Sequence, residues 1–327
     1  MKTDTARPAA LDALDLRLLH ALDVAGRAPF ARIAEVLGVS DQTVARRYRR
    51  LRAEAGLRVV GVRDTMGLGE DSWMLRLRCT PDAAEALARA LARRPGTAWI
   101  AIASGGTEVI GMTVPRTEGE RDELLLGRLP RTPSITGIRA HQLLHRFFGG
   151  PGGWLAKRQA LTPDEIAALA TPPGPPGPPV SPDDAPLLDA LAADGRATVE
   201  ELRRATGRPE STVRRRLEQL QSSGALFIDV QLDTHALGYT TRALLWITAS
   251  PAALDRVGRA LATHPEVAFA AATAGASNLV AVIVCENVSA IYPYLSERVG
   301  TLEGVEHIDC TPVLRTVKQL TYEEARR

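Results

Sequence analysis

The apolar positions in the first part of the chain fall into three helical stripes. Leu11, Leu14, Leu18, Leu19 and Leu22 share one face, with Asp12 and Asp15 in the first turn, where the helix dipole favours acids. Gly26 breaks this helix, and Phe30, Ile33, Ala34 and Leu37 form a shorter stripe ended by Gly38. Ser40 is a good N-cap for a third helix, in which Val44, Tyr48 and Leu51 line up on one side and Gly56 supplies the stop. The opposite side carries Arg46, Arg47, Arg49, Arg50 and Arg52. Two short helices joined by a Gly-containing turn, the second of them basic, describe a helix-turn-helix with its recognition helix second. Guanidinium groups suit phosphate and guanine because each donates two parallel hydrogen bonds.

After Gly56 the period shortens. Trp73 to Cys79 alternates as a strand, Pro81 to Leu91 reads as a helix, and Ala98 to Ala103 and Val109 to Val114 are strands around the turn at Ser104 to Thr107. A helix over Glu118 to Leu129 and a strand over Ile135 to Leu144 complete the order β-α-β-β-α-β, that of a ferredoxin-like sandwich. A short helix capped by Thr162 ahead of Pro163 follows, and then Pro172 to Pro186, a Pro/Gly-rich run expected to be an extended, solvated linker.

Beyond it the pattern returns. Ala25-Gly26-Arg27 matches Asp194-Gly195-Arg196, and Gly38 to Leu51 matches Gly207 to Leu220 without a gap. The second sandwich runs through strand Arg242 to Thr248, helix Ala252 to Ala262, strands Val267 to Thr273 and Leu279 to Cys285, helix Val288 to Val299 and strand Val305 to Leu314. The expected class is therefore α+β: two winged-helix-like helix-turn-helix domains (1–62 and 183–232) alternating with two ferredoxin-like β-α-β-β-α-β sandwich domains (68–150 and 237–322), with 151–182 as linker.

Charge narrows the reading. A net charge of +2 over 327 residues is too small for whole-molecule attraction to nucleic acid, so local patches must supply it. The N-terminus places acids where a leader would be apolar, and no apolar run has the length of a membrane span; a cytoplasmic protein with no membrane partner is expected. Cys79, Cys285 and Cys310 stand singly in apolar surroundings, as buried thiols do, without metal-ligand spacing, and no cofactor is called for.

The residues resemble the leucine-responsive (Lrp/AsnC) family of transcription regulators. The pattern consists of LDxxD at Leu11 to Asp15, Gly26-Arg27, S-x-x-T-V-x-x-R at Ser40 to Arg47 and R-x-L-x-x-x-x-G at Arg49 to Gly56. The resemblance implies binding to double-stranded DNA, pairing through the sandwich sheets either as a homo-oligomer or as an intramolecular pseudo-dimer, and a small amino acid as effector. Helix starts reach base edges in this geometry, which nominates Ser40, Asp41, Gln42, Thr43 and Arg46 in the first copy and Glu210, Ser211, Arg214 and Arg215 in the second. Arg47, Arg50, Arg52 and Arg216 are assigned to phosphate. Pro209 stands where the first copy has Ser40, and Glu218 and Gln219 replace Arg49 and Arg50, so the first recognition helix is expected to bind more strongly. The effector is expected at the turns Gly105-Gly106-Thr107-Glu108 and Gly275-Ala276-Ser277-Asn278, through Gly105, Thr107, Glu108, Gly275, Ser277 and Asn278; a plain hairpin turn has the same composition.

An enzyme is the competing class, because the sirohaem decarboxylases share this two-domain plan. Their HR-x-x-GF-like run is absent from Leu57 to Leu68 and from Ala225 to Leu237. His20, His141, His145, His235, His264 and His307 show no ligand spacing and read as surface or interface residues, and no nucleophile triad or phosphate loop stands out. A regulator without enzymatic activity is the expectation.

Overall fold

The computed structural model describes residues 11–151, 153–170 and 178–320; the extreme N-terminus and the centre of the Pro-rich run lie outside them. The chain divides into two compact units, each assembled from both halves of the repeat. One takes the chain as far as Asp64 together with Gly150–Thr240, the other Thr65–Gly149 and the chain from Thr241 onward.

The first unit holds both helix-turn-helix copies. Helices α1 (Ala13–Val24), α2 (Phe30–Leu37) and α3 (Asp41–Glu54) are followed by strand β1 (Arg58–Arg63). Leu18, Leu22, Ile33, Val44, Tyr48 and Leu51 form the core of this copy. The stretch ahead of the Pro-rich run carries the expected helix capped by Thr162, and it packs on the first copy. A 3-10 turn (Trp154–Arg158) and a helix, Pro163–Leu169, bury Leu155, Leu161 and Leu169 in that same core. His20 Nδ1 accepts the Leu161 amide and Arg32 donates to the Ala168 carbonyl. Three leucines at helical and turn spacing give this stretch an apolar face to bury, which the neighbouring prolines obscure.

The second copy repeats the plan with Ala185–Ala193, Val199–Thr206 and Glu210–Ser222, then strand Leu226–Gln231. Its first helix begins at Ala185, so Pro186 lies in a first helical turn, where its missing amide costs nothing. We number these helices α7, α8 and α9, with α4 (Ala84–Ala92), α5 (Glu118–Asp122) and α6 (Pro163–Leu169) before them. The strand after α9 pairs antiparallel with β1, Val60 opposite Asp229 and Gly61 opposite Ile228. The two copies also grip each other reciprocally. Arg27 donates to the carbonyls of Gly195 and Ala197, and Arg196 to those of Gly26 and Ala28. The repeated Gly-Arg is thus a clamp across a pseudo-two-fold axis. Gly195 is required there, because a Cβ would run into the Val60 backbone.

The second unit holds the two sandwiches. Strands β2 (Trp73–Cys79), β3 (Thr97–Ala103), β4 (Glu108–Thr113) and β5 (Ile135–Phe148) form one antiparallel sheet in the order β3-β4-β2-β5. With β6 for Leu226–Gln231, the second sheet is β7 (Thr241–Ala249), β8 (Val267–Thr273), β9 (Leu279–Cys285) and β10 (Val305–Lys318), in the order β8-β9-β7-β10. Helices α4 and α10 (Leu254–Thr263) cover the sheets, and in both copies the second helix becomes π-helical, over Glu123–Arg128 and Tyr294–Val299. Strand β5 pairs with β8 and β10 with β3, which closes all eight strands into one barrel within a single chain. The facing surfaces bury Met74, Ile110, Leu143, Leu244, Trp246 and Val280.

Candidate nucleic-acid interface and effector turns

Helix α3 begins as its sequence demands. Ser40 Oγ accepts the Thr43 amide at 3.2 Å, and Asp41 accepts that of Gln42 at 2.8 Å. The apolar stripe faces the core, which leaves Ser40, Asp41, Gln42, Arg46, Arg49 and Arg52 exposed and Thr43 half-buried. Arg52 leans over the Tyr48 ring at 5.9 Å. Arg46, Arg47 and Arg50 line one concavity beside this turn.

Two of the arginines assigned to phosphate have other work. Arg47 donates to Asp12 at 2.6 and 2.7 Å and to Asp15 at 2.8 Å, and Arg50 also donates to Asp15, whose side chain is fully buried. Asp12 and Asp15 cap each other's amides at the start of α1, so the ion pairs staple α1 to the recognition helix. Hydrogen bonding from Arg47 holds the Asp12 carboxyl below the usual carboxylate range. The second copy has the counterpart. Arg216 donates to both oxygens of Asp184 at 2.8 and 2.6 Å and to the carbonyls of Pro178 and Pro179, with Asp184 held low by that contact. The Arg216 side chain is only 12% exposed, which removes it from the phosphate-facing set; Arg47, at 21%, is largely removed as well. Spacing alone places an arginine on a helix face but does not reveal an acid waiting on another helix. On α9, Pro209 stands at the cap without a side-chain hydrogen bond; Glu210 pairs with Arg214 at 2.7 Å, while Ser211 and Arg215 are exposed.

Beneath the first copy lies a pair of acids that periodicity does not single out. Asp23, in the last turn of α1, accepts the Ala156 amide, and burial beside Asp229 of β6 pushes its carboxyl up to about 7. Asp229 is raised by burial too, and Gln231 Nε2 donates to it at 2.9 Å.

The effector turns are occupied by the protein's own groups. Gly105 and Thr107 are exposed, with Gly105 in the left-handed region at φ 66°, but Glu108 turns inward and is 4% exposed. It accepts from Arg76 Nε at 3.1 and 3.2 Å and from Ser104 Oγ at 3.0 Å, and Arg76 reaches on to Asp309 at 2.6 Å. In the second turn Asn278 accepts the Ala249 amide at 2.9 Å and donates to the Ala249 carbonyl at 2.7 Å; the Ser277 carbonyl accepts from Thr273. Gly275, at φ 117°, leaves room for the ring of His141. That ring stacks on Trp246 with centroids 4.9 Å apart, and burial pushes its pKa down.

Of the histidines expected at surfaces or interfaces, two are buried in domain cores and one at the interface between the sandwiches. His141 sits between the two sheets, His20 lies in the first core, and His264 bonds Tyr294 at 3.0 Å. His145, His235 and His307 are exposed. Among the described residues no group of three or more His, Cys, Asp or Glu is placed to hold a metal ion, and no helix is long and apolar enough to cross a membrane. Cys79 and Cys285 are buried free thiols and Cys310 is half-buried.

Comparison with known proteins matches the AsnC-type helix-turn-helix domain to residues 11–52 and the Lrp/AsnC ligand binding domain to residues 242–322. The IclR helix-turn-helix domain matches residues 186–226, so the second helix-turn-helix is similar to that family's rather than to the AsnC type. The HTH-type transcriptional regulator FL11 of Pyrococcus horikoshii is 30% identical over 140 residues, which are 42% of this chain and 91% of that protein. Ptr1 of Methanocaldococcus jannaschii, another HTH-type transcriptional regulator, is 25% identical over 41% of this chain and 92% of its own length. Each of these relatives is thus one module long. Among solved structures the siroheme decarboxylase NirDL superposes over 95% of this chain and 94% of its own, with a TM-score of 0.61 and 14% identity, a likeness of fold. On its sequence relatives and its matched domains together, the chain belongs to the Lrp/AsnC family and carries that family's module twice.

Proposed function

We propose that this protein is a sequence-specific DNA-binding transcription regulator acting in the cytoplasm, with both readers on one polypeptide. The observation that carries the reading is the first turn of α3. Ser40 is used as the cap, so Asp41, Gln42 and Arg46 stand exposed at a helix start, with Thr43 half-buried beside them and the Arg46–Arg50 concavity alongside. Helix starts of this kind enter the major groove and read base edges, and flanking arginines meet phosphate. On the recognition helices, Arg46, Arg49 and Arg52 are the cations available in the first copy, and Arg215 is available in the second, where Arg214 is held by Glu210. The names of the one-module relatives support the same role.

The test is an electrophoretic shift with the chain's own promoter region at two salt concentrations, wild type beside Arg46→Ala. A selective complex that weakens with salt and is clearly weaker in the variant is the expected result. A complex indifferent to the variant sinks the assignment of α3.

Effector control is a finer part of the reading. Gly105, Thr107, Gly275 and Ser277 offer backbone to a small ligand, but Glu108 and Asn278 are engaged internally, so an amino-acid ammonium has to displace Arg76 from Glu108. Calorimetry with a panel of amino acids checks this, and heat that persists in Glu108→Gln removes Glu108 from the site. The enzyme reading draws on the whole-chain likeness to NirDL. A sirohaem titration followed by absorbance decides it: a shifted band revives it, and an unshifted one leaves the regulator.

A further inference from the structure

The two seams of the barrel are built from the same backbone pairing. Leu143 opposes Thr273 and Phe148 opposes Ala270 in one; Val313 opposes Ala103 and Lys318 opposes Ile100 in the other, with the same irregularities one repeat apart. Backbone hydrogen bonds therefore cannot tell a first sandwich from a second. We propose that the facing surfaces carry a two-part recognition code, one of charge and one of shape, which makes each sandwich the partner of the other kind and rejects the same kind from a second copy of the chain.

The charge part lies at Arg76. It is 11% exposed and bridges Glu108 of its own sheet to Asp309 of the other sandwich. It also rests 5.5 Å from the Trp246 ring. One repeat away, Arg76 corresponds to Trp246, Glu108 to Asn278 and Asp309 to Arg139, so the bridge has no symmetric mate. Arg139 already stands opposite Arg76 across β2 and β5, so two first sandwiches would put a second Arg139 at Arg76 in place of Asp309, adding like charge where the mixed pair supplies an acid. Two second sandwiches would take the Arg76 cation from both copies of Asp309. Only the mixed pair balances.

The shape part lies where the strand ends cross to the opposite helix. Phe147, late in β5, covers Gly258 of α10, and a Cβ at Gly258 would overlap the ring. The counterpart is Val317, late in β10, which is buried in the core that holds Ala88 of α4. The large side chain meets the residue without a Cβ, and the small one shares its core with alanine. Two first sandwiches would press Phe147 onto the Ala88 methyl, and two second sandwiches would leave a void between Val317 and Gly258. Close-packed interiors penalise both.

The experiment uses two full-length variants. One carries Arg76→Asp with Phe147→Val, the other Asp309→Arg with Gly258→Ala. Each is mismatched within itself, and each matches the other. Each alone is expected to lower the thermal midpoint by roughly 3 to 8 °C, and the four changes combined in one chain should recover at least half of the summed loss. Co-expressed with different tags, the two variants should co-purify with each other more than either does with its own kind. Additive losses in the combined chain overturn the proposal. So does a tagged variant that captures its own kind as well as it captures the other. Should the charged variants fail to fold, Gly258→Ala alone gives the same reading: its loss must shrink when Phe147→Val is added, and an unchanged loss overturns the shape part.

Discussion

The two helix-turn-helix copies solve one problem with different reserves. Each must hold its recognition helix against its first helix, and each does so with an arginine on an aspartate: Arg47 on Asp15, Arg216 on Asp184. The first copy adds Asp12 and Arg50 to the staple. Among the described residues the second adds the Pro178 and Pro179 carbonyls, and it buries its arginine more deeply. Outside the staple, the first helix keeps exposed arginines, whereas the second spends Arg214 on Glu210. Arginine count is therefore a poor measure of a DNA-facing surface; what matters is which arginines lack an acid in their own domain.

The largest effect should fall on the staple with less reserve. Asp184→Ala strands the buried Arg216 and should cost about 3 kcal/mol of stability in denaturant unfolding. Asp12→Ala leaves Arg47 on Asp15 and should cost far less, and equal losses would remove the contrast. DNA binding comes next. Arg46→Ala should weaken operator binding by about tenfold, within the range of one good base or phosphate contact, and Arg215→Ala by clearly less, as read by fluorescence anisotropy. Equal losses would make the second helix a full partner.

The acids supply a pH test in each copy, of opposite sign. The Asp23 carboxyl is raised in the folded protein, to about 7, so the native state holds a proton that the unfolded chain has released above about pH 4. Stability should fall as pH rises from about 4 through 7, then level off. Asp23→Asn should flatten that slope and raise the midpoint at pH 8; a slope unchanged in the variant would show that Asp23 is not its source. The Asp184 carboxyl runs the other way. It is held low, so its contribution is full above about pH 4 and is lost as pH falls through the lowered value. The smallest effect concerns the clamp. Arg196 rests on the Phe30 and Tyr48 rings at 4.5 and 5.7 Å, while the positions corresponding to those rings in the other copy are Val199 and Leu217. Arg196→Ala should therefore cost about 0.5–1 kcal/mol more than Arg27→Ala.

The repeat, the helix-turn-helix order and both sandwiches are legible in the sequence because each rests on local period and turn chemistry. The N-cap at Ser40 and the capping box of Thr162 with Glu165 are local as well. What is not legible lies between distant segments. Strands β1 and β6 are too short and too mixed to announce their pairing, and Arg27 and Arg196 read as a repeated dipeptide until their carbonyl partners are seen. The same limit sent Arg47 and Arg216 to phosphate, and left Glu108 free for a ligand when Arg76 already holds it.

The closed barrel carries a consequence for solubility. An open sheet ends in strands whose free amides and carbonyls can template another chain, and proteins usually blunt such edges with charge or bulges. Here all four outer strands, β3, β5, β8 and β10, are consumed in the two seams. No strand of the barrel is left to recruit a neighbour while it stays shut. Once one seam parts, two bare edges appear together, flanked by apolar segments such as Ala268 to Ala272 and Ala98 to Ala103. The protein should stay dispersed at high concentration in its native state and aggregate abruptly on heating, so that its thermal transition is irreversible and depends on scan rate.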